Sequence, residues 1–142
     1  MPIGKLRFTL NPLGAVRGLV EKWRPPFYKS ESEYKKDLYN YLVKNVKGIE
    51  VVREFGSSRL RADICVGRKV FIEIKKDLNS TSKLQRLLGQ LELYAKEGWD
   101  NGILVVVGKV EPDLLRQAEE GLERFEDDFS FFTDEGWIII RK

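Results

Sequence analysis

Residues 61–76 read RADICVGRKVFIEIKK, and this stretch predicts two β-strands joined by a short turn at residues 67–69. On a strand, side chains two positions apart share a face, and neighbouring side chains point to opposite faces. One face is apolar and comprises Ile64, Val66, Val70, Ile72 and Ile74. The other face carries Asp63, Glu73 and Lys75. The stretch therefore predicts a hairpin with one face in the core and one polar face.

The length of the turn decides how Asp63 and Glu73 lie relative to each other. A three-residue loop places the two carboxylates directly opposite each other, whereas a two-residue turn would place them on opposite faces. Two carboxylates at such a short distance repel each other, and each raises the pKa of the other. Such a pair is therefore either a shared-proton dyad or a divalent-cation site. Lys75 favours the cation site, because its ammonium can hold an attacking water or a scissile phosphate.

A Glu-x-Lys tripeptide alone is weak evidence, because a chain with 33% charged residues contains such pairs by chance. The alternative interpretation is a solvated strand face with an ordinary Glu and Lys pair. Three further features favour a catalytic site: apolar residues flank Glu73, Asp63 precedes it by one hairpin, and a predicted helix with Gln90 follows it. Together they predict a site for metal-dependent cleavage of a phosphodiester.

On these residues the chain resembles the PD-(D/E)XK nuclease superfamily, which has the restriction-endonuclease-like fold, over about residues 30–107. The resemblance implies that Asp63 and Glu73 are the motif acids and that Lys75 is the motif lysine. Ala62 stands where the family pattern usually has proline. The branches of the family that hold an iron–sulfur cluster need four cysteines, and this chain has one, so those branches are excluded.

The resemblance implies a Mg²⁺- or Mn²⁺-dependent nuclease that acts on DNA. The implied metal ligands are the Asp63 and Glu73 carboxylates and the Ile74 carbonyl. Lys75 would orient or help activate water and stabilise the charge that develops on the phosphate. Gln90 would support the water or a second metal ion.

Many members of the family also carry a glutamate on the first core helix, where this chain offers two. Glu31 lies three residues before the apolar Tyr34, which places it on the inward stripe of that helix. Glu33 lies off the stripe, and Ser30-x-x-Glu33 matches a capping box. We therefore expect Glu31 to be the supporting acid. The alternative is that both acids merely stabilise the helix dipole.

The helix after the hairpin extends the resemblance, because Gln90 and Tyr94 match the Gln-x-x-x-Tyr of RecB-like members. Residues four apart on a helix share a face. A glutamine there can position a water or a phosphate, and a tyrosine can stack on a base or anchor the helix in the core. The alternative is that both residues only border the packed leucine stripe of that helix.

Composition bounds the possible chemistry. At 142 residues, the chain is expected to form a single domain, residues 1–142. The absence of histidine excludes His-based triads, His-metal nucleases and His-Cys zinc sites. A single cysteine, Cys65, excludes an internal disulfide and a thiolate metal cage. The sequence shows no signal peptide and no membrane-spanning apolar run, so we expect a soluble cytoplasmic protein without a membrane partner.

Charge is distributed unevenly along a chain whose formal net charge is +3. Residues 1–29 carry six Lys or Arg against the single Glu21, and residues 30–110 carry 15 basic against 11 acidic side chains. Residues 111–136 carry ten acidic side chains against two arginines. A phosphate backbone is attracted to the first two regions and repelled by the third, so DNA is expected across the motif face. The alternative is that these charge runs are only solvated faces.

The rest of the chain predicts a scaffold around the hairpin. Residues 1–29 predict a basic arm and a short helix with Asn11 as N-cap, residues 30–110 the catalytic core, and residues 111–142 a helix and two strands. The core order αβββαβ, with flanking helices and an extra N-terminal helix, predicts a mixed-sheet α/β fold. The predicted strands lie near 49–55, 60–66, 70–76, 103–107, 129–132 and 137–140, and the predicted core helices near 31–46, 82–97 and 112–125.

Several alternatives stay open. The N-terminal helix is expected to dock on the domain, and the alternative is a dimer contact or a DNA-gripping arm. A structure-selective resolvase would use the same chemistry as a homodimer on four-way junctions. A non-catalytic member of the fold would bind DNA or a protein, and a small interaction protein would carry the motif by coincidence. The pattern does not choose between single-stranded, duplex and branched DNA or RNA, or between endo- and exonuclease action.

Overall fold

The computed structural model describes residues 4–125 and 136–142, which form five helices and one five-stranded sheet. The helices are α1 (Lys5–Leu10), α2 (Pro12–Lys22), α3 (Glu31–Asn45), α4 (Thr81–Lys96) and α5 (Pro112–Phe125). The strands are β1 (Val51–Gly56), β2 (Arg61–Val66), β3 (Val70–Lys76), β4 (Gly102–Val107) and β5 (Trp137–Arg141). The strand predicted near 129–132 lies outside the described residues. None of the described helices combines the length and the apolar character needed to traverse a bilayer.

The sheet has the strand order β1-β2-β3-β4-β5. Strands β1, β2 and β3 pair antiparallel, and β3, β4 and β5 pair in parallel. Parallel neighbours need a crossover connection, which α4 makes between β3 and β4. The predicted mixed-sheet α/β class and the predicted αβββαβ order, from α3 to β4, are confirmed.

The hairpin of β2 and β3 has the predicted three-residue loop. Val66 pairs with Val70, so residues 67–69 make the connection. Because the register of an antiparallel pair is set by its loop, this length carries Asp63 toward Glu73.

Helices cover both faces of the sheet. The α3 layer is the core between the sheet and helices α2 and α3, and the α4 layer is the core between the sheet and helices α4 and α5. Glu73 is only 1% exposed, because it lies under the α4 layer. The hairpin face that carries Glu73 was predicted to be a polar face with only the other face in the core. That prediction is wrong, because helix α4 covers this face as a second core. Buried leucines at helical spacing bring α4 down onto it: Leu84, Leu87 and Leu91.

The N-terminal helix docks on the α3 layer, as predicted. The Asn11 side chain caps α2, and Pro12 occupies its first position. Val16 and Val20 on the same helix are fully buried. Residues 5–10 of the predicted basic arm form helix α1, which the sequence pattern did not indicate. A dimer contact or a DNA-gripping role for this region stays a prediction.

Candidate active site

Asp63 and Glu73 meet inside the core at the point where β2 and β3 diverge. The register runs as far as Ile64 opposite Ile72, and beyond it the Asp63 carboxylate accepts a hydrogen bond of 2.8 Å from the Ile74 N–H. The Asp63 and Glu73 carboxyl groups are in hydrogen-bonding contact, and these residues are only 8% and 1% exposed. Two carboxyl groups can hydrogen-bond only when one is protonated, so the pair requires a proton or a cation.

The Asp63 side chain contacts both layers because the strand alternation breaks at this residue. Ile64 packs in the α3 layer, whereas Ala62, two residues earlier, packs in the α4 layer. Glu54 lies across from Asp63 on β1 and has a φ of 50°, a left-handed conformation that is uncommon outside glycine. Regular strands would place Ala62 and Ile64 on the same face. The break therefore puts the Asp63 carboxyl between the two helical layers.

Lys35 on α3 supplies a positive charge to this cluster. Its ammonium lies 2.9 Å from Asp63 Oδ1 and 3.3 Å from Glu31 Oε2. Burial disfavours the ammonium, but the hydrogen bond and charge of Asp63, together with those of Glu31, outweigh burial and raise the pKa of Lys35. Lys35 is a site residue that the sequence pattern was not used to predict. The sequence does indicate Lys35 through its position, because a residue four positions after Glu31 lies on the same face of the helix.

Glu31, and not Glu33, reaches the site. The Glu31 carboxylate accepts a hydrogen bond of 2.9 Å from the backbone N–H of Lys76, which ties α3 to the end of β3. Glu33 instead accepts from the Ser30 hydroxyl at 2.9 Å, and its own N–H donates to Ser30 Oγ at 3.3 Å. Ser30 therefore caps α3 as predicted, but Glu33 folds back to the Ser30 hydroxyl and not to its backbone N–H, so only half of the capping box forms. The role of Glu31 as the supporting acid stays a prediction.

Tyr94 and Gln90 approach Glu73 from the α4 layer. The Tyr94 hydroxyl lies 2.5 Å from Glu73 Oε2 and 2.6 Å from the Arg61 carbonyl oxygen, and Gln90 Nε2 donates to it at 2.7 Å. Burial, then the charge and hydrogen bond of Glu73, raise the pKa of Tyr94, so the phenol keeps its proton. A phenol donates to one acceptor at a time. Gln90 and Tyr94 share a helix face as predicted, and Gln90 reaches Glu73 through Tyr94.

In the metal-free protein, the raised pKa of Glu73 favours a proton on the Glu73 carboxyl group beside Asp63. Burial raises the pKa of Glu73, and the hydrogen bond and negative charge of Asp63 raise it further. The hydrogen bond from Tyr94 and the charge of Lys75 act in the opposite direction but do not cancel the rise. A bound divalent cation favours the ionised form of both carboxyl groups and would take the place of the shared proton.

Lys75 lies two residues beyond Glu73 on β3 and is half-buried. Within the described part of the chain, Lys75 makes no hydrogen bond and no ion pair, and its charge acts on Glu73. The neighbouring Lys76 differs, because its ammonium pairs with Asp77 at 2.5 Å. The Lys75 ammonium is therefore available to a water or a phosphate. The metal-binding role expected of the Ile74 carbonyl stays a prediction.

The residues present suit a hard divalent cation with few protein ligands. Among residues 4–125 and 136–142, no group of three or more acidic or cysteine side chains is gathered closely enough to hold a metal ion by itself. Mg²⁺ commonly uses one or two protein carboxylates and completes its shell with water and phosphate oxygens. Asp63 and Glu73 supply that number of carboxylates, and each is held by a polar partner from a different layer.

Comparison with protein-family models, with curated proteins and with solved structures finds no match to this chain. The resemblance to the PD-(D/E)XK nucleases therefore depends on the motif residues and on their geometry.

We expect the substitution Glu73→Gln to change how the stability of the metal-free protein depends on pH. The folded state holds a Glu73 proton above its ordinary pKa of 4.5, so ionisation in the unfolded state lowers the parent's stability as pH rises. Glutamine does not ionise, yet its amide can donate to Asp63 and accept from Tyr94. Urea unfolding from about pH 5 to about pH 8 should show the parent losing up to about 1.4 kcal/mol per pH unit relative to the variant.

Glu92→Gln provides the matched control, because Glu92 lies on the exposed face of α4 and pairs with Lys96 at 3.5 Å. This variant should follow the parent's pH dependence. Parallel pH profiles for the parent and Glu73→Gln would contradict the shared-proton assignment.

Proposed function

We propose that this chain is a Mg²⁺- or Mn²⁺-dependent nuclease that hydrolyses phosphodiester bonds in DNA. The observation that carries the proposal is the contact between the buried Asp63 and Glu73 carboxyl groups beside Lys75. We assign the chain to the PD-(D/E)XK type, with a restriction-endonuclease-like fold. The antiparallel β1-β2-β3 ribbon, followed by a helix and a parallel β4, supports this assignment.

The Asp63 and Glu73 carboxylates, with the Ile74 carbonyl, would hold the cation. When bound, the cation supplies a Lewis acid at the phosphate and lowers the pKa of a bound water. Glu31 would orient the water or support a second cation, because its carboxylate shares Lys35 with Asp63. The cation would relieve the repulsion that forces Asp63 and Glu73 to share a proton.

Polar partners from both layers would keep the two carboxylates in place once both are ionised. Tyr94 would donate its single proton to Glu73, and Gln90 fixes the Tyr94 hydroxyl. Lys35 holds Asp63 from the other side. Replacing a neutral residue that orients a metal ligand, such as Tyr94, commonly costs about 10- to 100-fold in metal affinity or activity, whereas Lys35 also carries a charge that repels the cation.

The positive charge of Lys75 suits the chemical step. It lies beside Glu73 without a polar partner in the described residues. An ammonium fixed at this position can hold the attacking water and stabilise the negative charge that grows on the phosphate oxygens. These features support the proposed role of Lys75 as the motif lysine.

Basic side chains at the end of β3 would attract the DNA backbone. Lys76 pairs with Asp77, and Lys83 donates to the Asp77 carbonyl at 3.0 Å, so Asp77 gathers two lysines next to Lys75. The lysine ion pair, then the hydrogen bond from the Lys109 N–H, lower the pKa of Asp77 and keep its carboxylate ionised. The positive charge of Lys75 and Lys83 at this end of β3 would attract the phosphate backbone of DNA.

The direct test of the proposed function is a gel assay of labelled single-stranded, linear duplex, flap and four-way-junction DNA with Mg²⁺ or Mn²⁺. We expect the parent to cleave at least one of these substrates. Asp63→Asn and Glu73→Gln should each lose at least about 100-fold in rate, because a metal ligand is removed. Glu92→Gln should cleave like the parent. Absence of cleavage by the folded parent, or full activity of Asp63→Asn, would contradict the proposal.

We also expect Lys35→Met to make the fold more dependent on divalent metal. Loss of the ammonium leaves Asp63 and Glu31 without their cation, which should cost about 2 kcal/mol in the absence of metal. The site then becomes more negative, so Mn²⁺ should raise the melting temperature of Lys35→Met more than that of the parent. Melting curves with and without Mn²⁺ measure both effects.

Lys36→Met is the control for this experiment, because Lys36 is the exposed neighbour of Lys35 on α3. Its melting temperature should respond to Mn²⁺ as the parent's does. An equal or smaller response of Lys35→Met would contradict a cation site next to Asp63.

A further inference from the structure

Phe27 is a large apolar side chain held in solvent beside the candidate active site. It is 74% exposed, and the Lys76 ammonium lies 5.9 Å from the centroid of its ring. The Lys76 backbone N–H donates to Glu31, which shares Lys35 with Asp63. A short chain of direct contacts therefore connects the Phe27 ring to the acidic pair.

The segment that carries Phe27 is fixed at both of its ends. On one side, Trp23 is buried and its indole N–H donates to Asp37 at 2.7 Å. On the other side, the Tyr28 hydroxyl donates to the second oxygen of Asp37 at 2.5 Å. Residues 25–26 between them are prolines, whose rings fix the backbone φ. Because the segment is rigid, a ligand on the Phe27 ring would bind with little loss of loop entropy.

Packing within the described residues gives no reason for this ring to be exposed. The neighbouring Tyr28 packs edge-on against Tyr34, with ring centroids 5.1 Å apart, whereas Phe27 makes no aromatic pair in the described parts of the chain. Single exposed apolar residues are common on protein surfaces. An exposed ring on a rigid segment, with the Lys76 ammonium over it, is well suited to bind a flat ligand.

The chemistry at this position fits an unpaired nucleobase. Bases within a duplex are stacked on both sides, whereas an unpaired base can offer its face to an aromatic ring. The Lys76 ammonium lies over the Phe27 ring and also pairs with Asp77, so only part of its positive charge acts on the phosphate of the same nucleotide. An aromatic face and a cation within one small patch match the two parts of a nucleotide in a single strand.

We propose that Phe27 is a stacking platform for an unpaired DNA base, which makes DNA with unpaired nucleotides next to the cleaved bond the preferred substrate. The inference rests on the proposed nuclease function, because the acidic pair would hold the phosphodiester near the ring. It assigns the substrate class that the sequence pattern left open.

The test is a comparison of DNA binding by fluorescence anisotropy, with Ca²⁺ as the hard cation in solution. The probes are a labelled oligothymidylate of about 12 nucleotides, within the span of single-strand binding sites, and a blunt duplex. Phe27→Ala should weaken binding of the single strand about 5- to 100-fold and leave duplex binding unchanged. Phe27→Trp should bind the single strand at least as well as the parent, because indole also stacks on bases.

Leu10→Ala is the matched control, because Leu10 is 77% exposed and lies on α1 beside the hairpin loop. It should bind both probes as the parent does. The inference is overturned if the parent does not bind the single strand, if Phe27→Ala binds it as well as the parent, or if both probes weaken equally. These outcomes are separate from the cleavage assay, in which Asp63→Asn tests the nuclease function without involving Phe27.

Discussion

Two carboxyl groups in contact inside a protein core can coexist only with a proton or a cation to balance them. Asp63 and Glu73 place that requirement at the centre of this fold. The metal-free protein meets it with a shared proton and with Lys35 and Tyr94, which approach from opposite layers. Every buried side-chain nitrogen and oxygen among the described residues has a hydrogen-bond partner. In the proposed function, a divalent cation would balance the two carboxylates in place of the proton. The remaining coordination positions of the cation would be open to water and phosphate.

The parts of the site that follow local rules could be predicted from the sequence. The period-two pattern and the three-residue loop predict that Asp63 and Glu73 meet, because they depend only on strand geometry and turn length. The helical stripe and the capping box separate Glu31 from Glu33 for a similar reason. The mixed sheet follows from the order of strands and helices along the chain. Apart from the element order, each of these features is encoded within a few neighbouring residues.

The parts that depend on tertiary contacts could not be predicted. Helix α4 covers the hairpin and buries Glu73. This burial depends on how the helix packs on the sheet, which the sequence pattern does not show. The alternation breaks at Asp63, across from the left-handed Glu54, and no residue pattern signals a strained non-glycine position. Lys35 could be placed near Glu31 by spacing, but its bridge to Asp63 crosses from a helix to a strand. The chemistry of the pair is therefore set by contacts between elements distant in sequence.

The central claim is that the Asp63 and Glu73 pair is a divalent-cation site, and calorimetric titration of the metal-free protein with Mn²⁺ tests it most directly. We expect a binding heat for the parent and its loss in Asp63→Asn, with the variant still folded by circular dichroism. The heat should persist in Glu92→Gln, whose side chain lies away from the pair on the exposed face of α4. A folded parent that gives no binding heat, or an Asp63→Asn variant that binds Mn²⁺ as the parent does, would contradict the account.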